Sequence, residues 1–210
     1  MRVSRKLEEY VESNILPLYE NFDPGHRVDH ARYVISRALR MAEKHGLDAN
    51  MVYAAAAFHD VGIKYGRDRH EASGQQMFID DKFMQDFFTD SEMFLVERAI
   101  REHRASFYGD YTSIYSKVIS QADRTFDVEG AFRRALQYGM WEYHDFTKEQ
   151  HYERVRARIV KKYRKERCTC MILDFEDDAK KLEELRAIAQ DDVLIRQMFD
   201  KVFILEEEVK

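Results

Sequence analysis

The sequence has little in it that breaks or staples a chain. Two prolines and eight glycines in 210 residues leave little room for β-turns, so the chain reads as mostly helical. Its only cysteines, Cys168 and Cys170, stand one residue apart with no second pair, a poor disulfide framework and half a zinc site at best. They read as ordinary thiols of a reduced cytoplasm. No run of about 18 apolar residues exists, so nothing spans a membrane. The opening Met1-Arg2-Val3-Ser4-Arg5-Lys6-Leu7-Glu8-Glu9 has no apolar core of signal-peptide length. Positive charge is not in excess either. A net charge of −5 argues against a nonspecific nucleic-acid binder. Repeats, low-complexity stretches and Gly/Ser linkers are missing.

What is present suits a soluble globular protein with a well-charged surface: 45% apolar and 35% charged residues. A chain this long buries roughly 70% of its unfolded surface without staples. Three parts are expected: an N-terminal helix over 1–20 packed on the core, a main helical domain over 21–145, and a C-terminal helical extension of it over 146–210. In the first helix, about 4–20, Pro17 marks a kink or an early end. A second helix runs from Val28 to His45 and stops at Gly46. Val28, Ala31, Ile35, Ala38, Leu39 and Ala42 form its apolar face, and His30 joins Val34, Arg37 and Met41 along one edge. A third helix over 49–61, capped by Asp48, is apolar nearly all round and therefore central. Further helices are expected over 70–79, 91–103 and 112–126, then around Phe132, Ala135 and Leu136. The charged stretch Lys148 to Arg167 keeps a narrow stripe of Val155, Ile159, Val160 and Tyr163. Two last helices follow over 174–190 and 192–208.

The most informative feature is His59-Asp60, at the end of the helix carrying Ala54-Ala55-Ala56-Ala57-Phe58. An imidazole beside a carboxylate at the end of a buried helix needs partners for both. A metal ion is the simplest common partner. His30 before the pair, and His70, His103 and Asp123 after it, complete a set of six expected ligands. Such residues, drawn from several helices, are how a bundle builds a metal site. Imidazole suits Fe, Mn, Zn, Ni or Co, and a carboxylate can bridge two ions. His30, His59, Asp60 and Asp123 would hold one divalent ion; His70 and His103 would allow a second, with Asp60 as the bridge. Hydroxide held by one or two metals is a strong nucleophile near neutral pH. Asp60 and Asp123 are the expected catalytic carboxylates. Lys64, Arg67, Arg104 and Arg124 lie within a few positions of these ligands and are the expected substrate-binding cations, with Arg69 in the same run. The segments 63–70 and 104–112 should set specificity; Phe107, Tyr108 and Tyr111 suit stacking on a base or packing. His45, His144 and His151 read as surface residues, and His26 as either a loop residue or a support for the ligands.

In these residues the chain resembles the HD superfamily of metal-dependent phosphohydrolases. The pattern is an early His, a His-Asp doublet and a late Asp: His30 in Gly25-His26-Arg27-Val28-Asp29-His30, then His59-Asp60-Val61-Gly62, then Asp123 in Gln121-Ala122-Asp123-Arg124. His70 and His103 resemble the two further histidines of the dinuclear subset. The resemblance covers about residues 20–140. It implies an all-α helical bundle and hydrolysis of a phosphate mono- or diester or a nucleotide. Two departures stand out. Where many dinuclear members carry a lysine three positions after the motif Asp, this chain has Ile63, and its lysine is Lys64. A one-residue shift turns a side chain by about 100° on a helix. Where some mononuclear nucleotidases use a glutamate, Ile63 cannot serve, and Asp127 is the nearest acidic residue on the Asp123 face. The expected partner is a small phosphorylated substrate, nucleotides included, with no membrane and no nucleic acid; a homo-oligomer stays open. Two alternatives remain: a diiron oxygenase on the same ligand set, and a non-catalytic nucleotide sensor whose C-terminal helices signal to a partner.

Overall fold

The computed structural model describes residues 2–163 and 171–208, which leaves Cys168 and Cys170 outside the described residues. Among the described residues every regular element is a helix, so the fold is all-α. The chain divides into two compact units, one formed by Met1–Phe22 with His26–Arg124, the other by Asp23–Gly25 with Thr125–Lys210.

The first unit begins with α1 (Arg5–Asn14), which buries Leu7 and Val11. It ends earlier than expected. Pro17 sits in the first turn of a separate 3-10 helix, Leu16–Asn21, since it lacks the N–H an α-helix interior requires. The second helix, α2 (Val28–His45), has the expected bounds. Gly46 closes it in the left-handed conformation at φ 65°, a site that favours glycine. Its His30 edge is buried as well as its apolar face: Val34, Arg37 and Met41 are all inaccessible or nearly so.

Helix α3 (Ala49–Phe58) is buried on all sides apart from Asn50. Asp48 caps it by accepting from the N–H groups of Asn50 and Met51. The helix stops at Phe58 rather than Val61. A 3-10 helix, Val61–Tyr65, follows, and α4 (His70–Asp80) folds back against it. A short α5 (Lys82–Phe87), not expected from the sequence, leads to α6 (Asp90–Arg101). Thr89 and Glu92 form a capping box at the start of α6. The last element of this unit, α7 (Ile114–Ala122), is shorter at both ends than the expected 112–126. Helix α3 packs against α2, α6 and α7, which makes it the centre of the unit.

The second unit holds α8 (Val128–Glu142), α9 (Lys148–Tyr163), α10 (Asp178–Ile188) and α11 (Asp192–Glu207). They enclose their own core, including Phe132, Leu136, Val155, Ile159, Leu185 and Phe199. His151 belongs to this buried face and not to the surface as expected, with 4% exposure. The spacing His151, Val155, Ile159 places it on the inward stripe of α9. His45 and His144 are exposed, as the sequence implied.

Candidate metal centre

Helix ends supply the site. His59 caps the C-terminus of α3, and Asp60 follows with φ −111° and ψ 1°. Asp123 caps the C-terminus of α7. His30 lies in the first turn of α2, His70 opens α4, and His103 stands two residues past α6. His59, Asp60 and His103 are almost wholly buried.

The structure brings all six expected ligands together around one carboxylate. Asp60 Oδ2 lies 3.1 Å from His59 Nε2 and 3.7 Å from His30 Nε2. Asp60 Oδ1 lies 3.0 Å from His70 Nε2 and 3.4 Å from His103 Nε2. Asp123 Oδ1 closes the first side, 3.1 Å from His30 Nε2 and 4.0 Å from His59 Nε2. Two groups capable of holding an ion result, His30-His59-Asp60-Asp123 and Asp60-His70-His103. They share Asp60, one oxygen to each.

The donor chemistry fits a cation in each group. His59 Nδ1 lies 2.8 Å from the Ala56 carbonyl, His103 Nδ1 2.7 Å from that of Ile100, and His70 Nδ1 2.9 Å from that of Arg67. A carbonyl only accepts, so each Nδ1 carries a proton, and each Nε2 is left facing Asp60, where it meets a cation with its lone pair or carries a second proton and donates to the carboxylate. The Nε2 atoms of His59 and His30 approach to 3.4 Å, and those of His70 and His103 to 3.3 Å. Nitrogens this close, around an ionised carboxylate, call for positive charge between them, whether protons or a metal ion. The proton equilibria point the same way. Burial pushes the His59 pKa down, yet Asp60 and Asp123 outweigh it and raise it overall. Burial pushes Asp60 up, yet the His59 charge and the His103, His59 and His70 hydrogen bonds hold it well below the usual carboxylate range.

Three residues that sequence reasoning did not single out brace the candidate ligands. The Tyr19 hydroxyl donates to the Ala57 carbonyl at 2.8 Å and accepts the Asp60 N–H at 3.3 Å. Buried Arg37 donates to the Arg124 carbonyl at 3.0 Å, which pins the chain just past Asp123. Buried Glu102, beside His103, accepts from the Thr112 N–H at 2.9 Å and pairs with Arg98. Only Arg37 left a trace in the sequence, through its place on the His30 edge of α2.

The expected substrate cations separate into two pairs. Arg67 approaches the His26 ring within hydrogen-bond distance, with Nη1 3.2 Å from Nδ1. His26 in turn packs edge-on to His30, ring centroids 5.8 Å apart, so it touches a candidate ligand. Arg104 Nη1 bonds Glu71 Oε2 at 3.1 Å, one residue from His70 and His103. Lys64 and Arg124 stand apart from these contacts. Lys64 is exposed on the 3-10 helix, its ammonium 5.9 Å from the centre of the Tyr65 ring. Arg124 is 7% exposed, and its Nε is buried without a hydrogen-bond partner. Arg69 is exposed and takes the left-handed conformation at φ 59° as the N-cap of α4. Asp127 does not share a helical face with Asp123, because α7 ends at Ala122 with Asp123 as its C-cap. Asp127 instead caps α8, accepting the Gly130 N–H at 2.6 Å.

No curated protein and no solved structure matches the chain. The family model described as HD domain matches residues 27–126. That span contains His30, His59-Asp60, His70, His103 and Asp123, the residues the fold gathers around Asp60, and so the chain carries an HD domain over residues 27–126.

Proposed function

We propose that the protein is a metal-dependent phosphohydrolase that cleaves a phosphate mono- or diester or a nucleotide. The observation that carries this reading is Asp60, whose two carboxylate oxygens face two separate histidine pairs. A carboxylate shared in this way suits a pair of cations. Bound divalent ions, from among Fe, Mn, Zn, Ni and Co, would polarise a phosphoryl oxygen and lower the pKa of a coordinated water to about 7. The chain's own residues supply the rest. Asp60 and Asp123 keep the centre anionic and bring negative charge to the place where protons must leave. The carbonyls of Ala56, Ile100 and Arg67 hold three rings in one tautomer. Arg67 and Arg104 give cationic donors beside the first and second groups, where a phosphate would be oriented. Lys64 and Arg124 remain assigned to substrate on their place in sequence next to the ligands.

Elemental analysis of the untreated protein should find a transition-metal ion for each of the two groups. Protein loaded with each of the five metals should release phosphate from at least one member of a panel of phosphomonoesters, phosphodiesters and nucleotides. Asp60→Asn should lose metal and activity together. Release from no substrate with any metal would end the hydrolase reading. Oxygen consumption with an organic substrate would replace it with an oxygenase, and tight nucleotide binding without turnover would replace it with a sensor.

A further inference from the structure

Beside the second histidine pair lies a cleft of about 440 Å³, lined by Glu71, Arg98, Arg101, Arg104, Phe107 and Tyr108. Its volume is that of a small-molecule site. Two of its residues adjoin expected ligands directly: Glu71 follows His70, and Arg104 follows His103. The same junction therefore carries the His70–His103 contact and, one residue along, the wall of the cleft.

The cleft is built to keep cations in place while leaving them short of partners. Glu71 accepts from Arg101 Nη1 at 2.9 Å and from Arg104 Nη1 at 3.1 Å. One carboxylate thus orients two guanidiniums. Each guanidinium has five N–H donors, and Glu71 takes a single bond from each. Arg98 pairs with Glu102. Three arginines face two carboxylates in this group, an excess of positive charge with many donors unspent. Opposite in character is Tyr108, whose side chain is 93% exposed. Phe107 packs on Tyr111, ring centroids 5.2 Å apart, but Tyr108 has no ring partner among the described residues. An aromatic face next to orientated guanidiniums suits a ligand that is planar at one end and polyanionic along its length.

We infer that this cleft receives the second phosphate and the base of a nucleoside polyphosphate, with Arg101 and Arg104 on the phosphate and Tyr108 against the base. The inference rests on the phosphohydrolase reading only for what then happens at the histidine cluster. It separates the substrate from a simple phosphate monoester, which has no second phosphate to place here.

The test is equilibrium binding to the intact, full-length protein as purified. The probes are α,β-methylene-ADP, whose bridging carbon resists hydrolysis, AMP, and methylenediphosphonate, which has no base. The wild-type chain should bind α,β-methylene-ADP at least about tenfold more tightly than AMP, since a charge-assisted contact contributes about that much. Arg101→Ala and Arg104→Ala should each weaken α,β-methylene-ADP by about tenfold. Tyr108→Ala, at a position exposed enough to leave the fold intact, should weaken α,β-methylene-ADP several-fold and leave methylenediphosphonate unaffected. Equal affinity for AMP and α,β-methylene-ADP, or wild-type affinity in the arginine variants, overturns the assignment. The two readings fail separately. Discriminating binding without phosphate release removes the hydrolase and keeps the cleft; phosphate release without discrimination does the reverse.

Discussion

Tyr19 shows how much of the centre is held by a single atom. Its hydroxyl sits where α3 ends, between the Ala57 carbonyl and the Asp60 N–H. Helix ends leave such backbone groups without intrahelical partners, and here bulk solvent does not reach them, since Tyr19 and Ala57 have no exposed surface. Burial and then the nearby Asp60 charge push its pKa well above the usual tyrosine value, so it stays a donor at any working pH. Tyr19→Phe removes the hydroxyl and keeps the ring. The expected cost is about 1–3 kcal/mol in denaturant unfolding, because two buried backbone groups lose a partner. Metal affinity should fall by about tenfold in chelator competition, as for other supports of metal ligands. An unchanged affinity would mean that Asp60 is positioned without it. The cluster of candidate ligands was legible, because histidine and aspartate are conspicuous at the ends of buried helices. Tyr19 was not. It lies outside the 27–126 span, and a tyrosine between Leu18 and Glu20 looks like any core aromatic.

Elements are joined at this site by close backbone approach, and glycine makes it possible. A Cβ on Gly62 would meet the His70 carbonyl oxygen at 2.0 Å and the Gly74 nitrogen at 2.5 Å; one on Gly74 would meet the Phe58 carbonyl oxygen at 3.1 Å. The 3-10 helix after Asp60 therefore lies directly on the first turn of α4, which brings His70 Nε2 within 3.0 Å of Asp60. Gly62→Ala should push α4 away. We expect a loss of about 1–3 kcal/mol in stability, the usual cost of overpacking, and selective loss of the ion held by His70 and His103. Elemental analysis should then find one group filled and the other empty; full occupancy of both would show that the contact is not what places His70. Most helices were readable from periodicity, the short α5 excepted, and most helix ends were not, α2 excepted, where Gly46 marked the stop. His59-Asp60 interrupts the apolar run after Phe58 but Val61 resumes it, so the switch to 3-10 geometry after Phe58 was hidden by a helical spacing that still fits. At α7, Phe126 keeps helical spacing with Ile119 and Ala122 across the polar Asp123, Arg124 and Thr125, although the helix stops at Ala122. That is why Asp127 was placed on a face it does not occupy. The exposed position of Lys64 likewise follows from the 3-10 turn, not from α-helical spacing.

At the scale of the whole molecule, two cores respond to different things. The six candidate ligands belong to the first unit, while the second has its own buried cluster built on α8, α9, α10 and α11. An all-α chain was legible from its scarcity of proline and glycine; the place where the core divides, at Arg124–Thr125, was not, because no linker composition marks it. Ions that bind the folded first unit stabilise it by mass action, about 2.7 kcal/mol at a hundredfold excess over Kd. Chelation should remove that contribution and lower the melting of this unit by on the order of 10 °C. The chain reports on the other unit through its sole tryptophan, Trp141, which lies on α8. Thermal melts followed by tryptophan emission should therefore hold their midpoint after chelation, while calorimetry shows the first-unit transition moving down and the second staying in place. If emission and heat capacity shift together, the two cores unfold as one cooperative body, and the metal centre stabilises the entire chain and not only the unit that contains it.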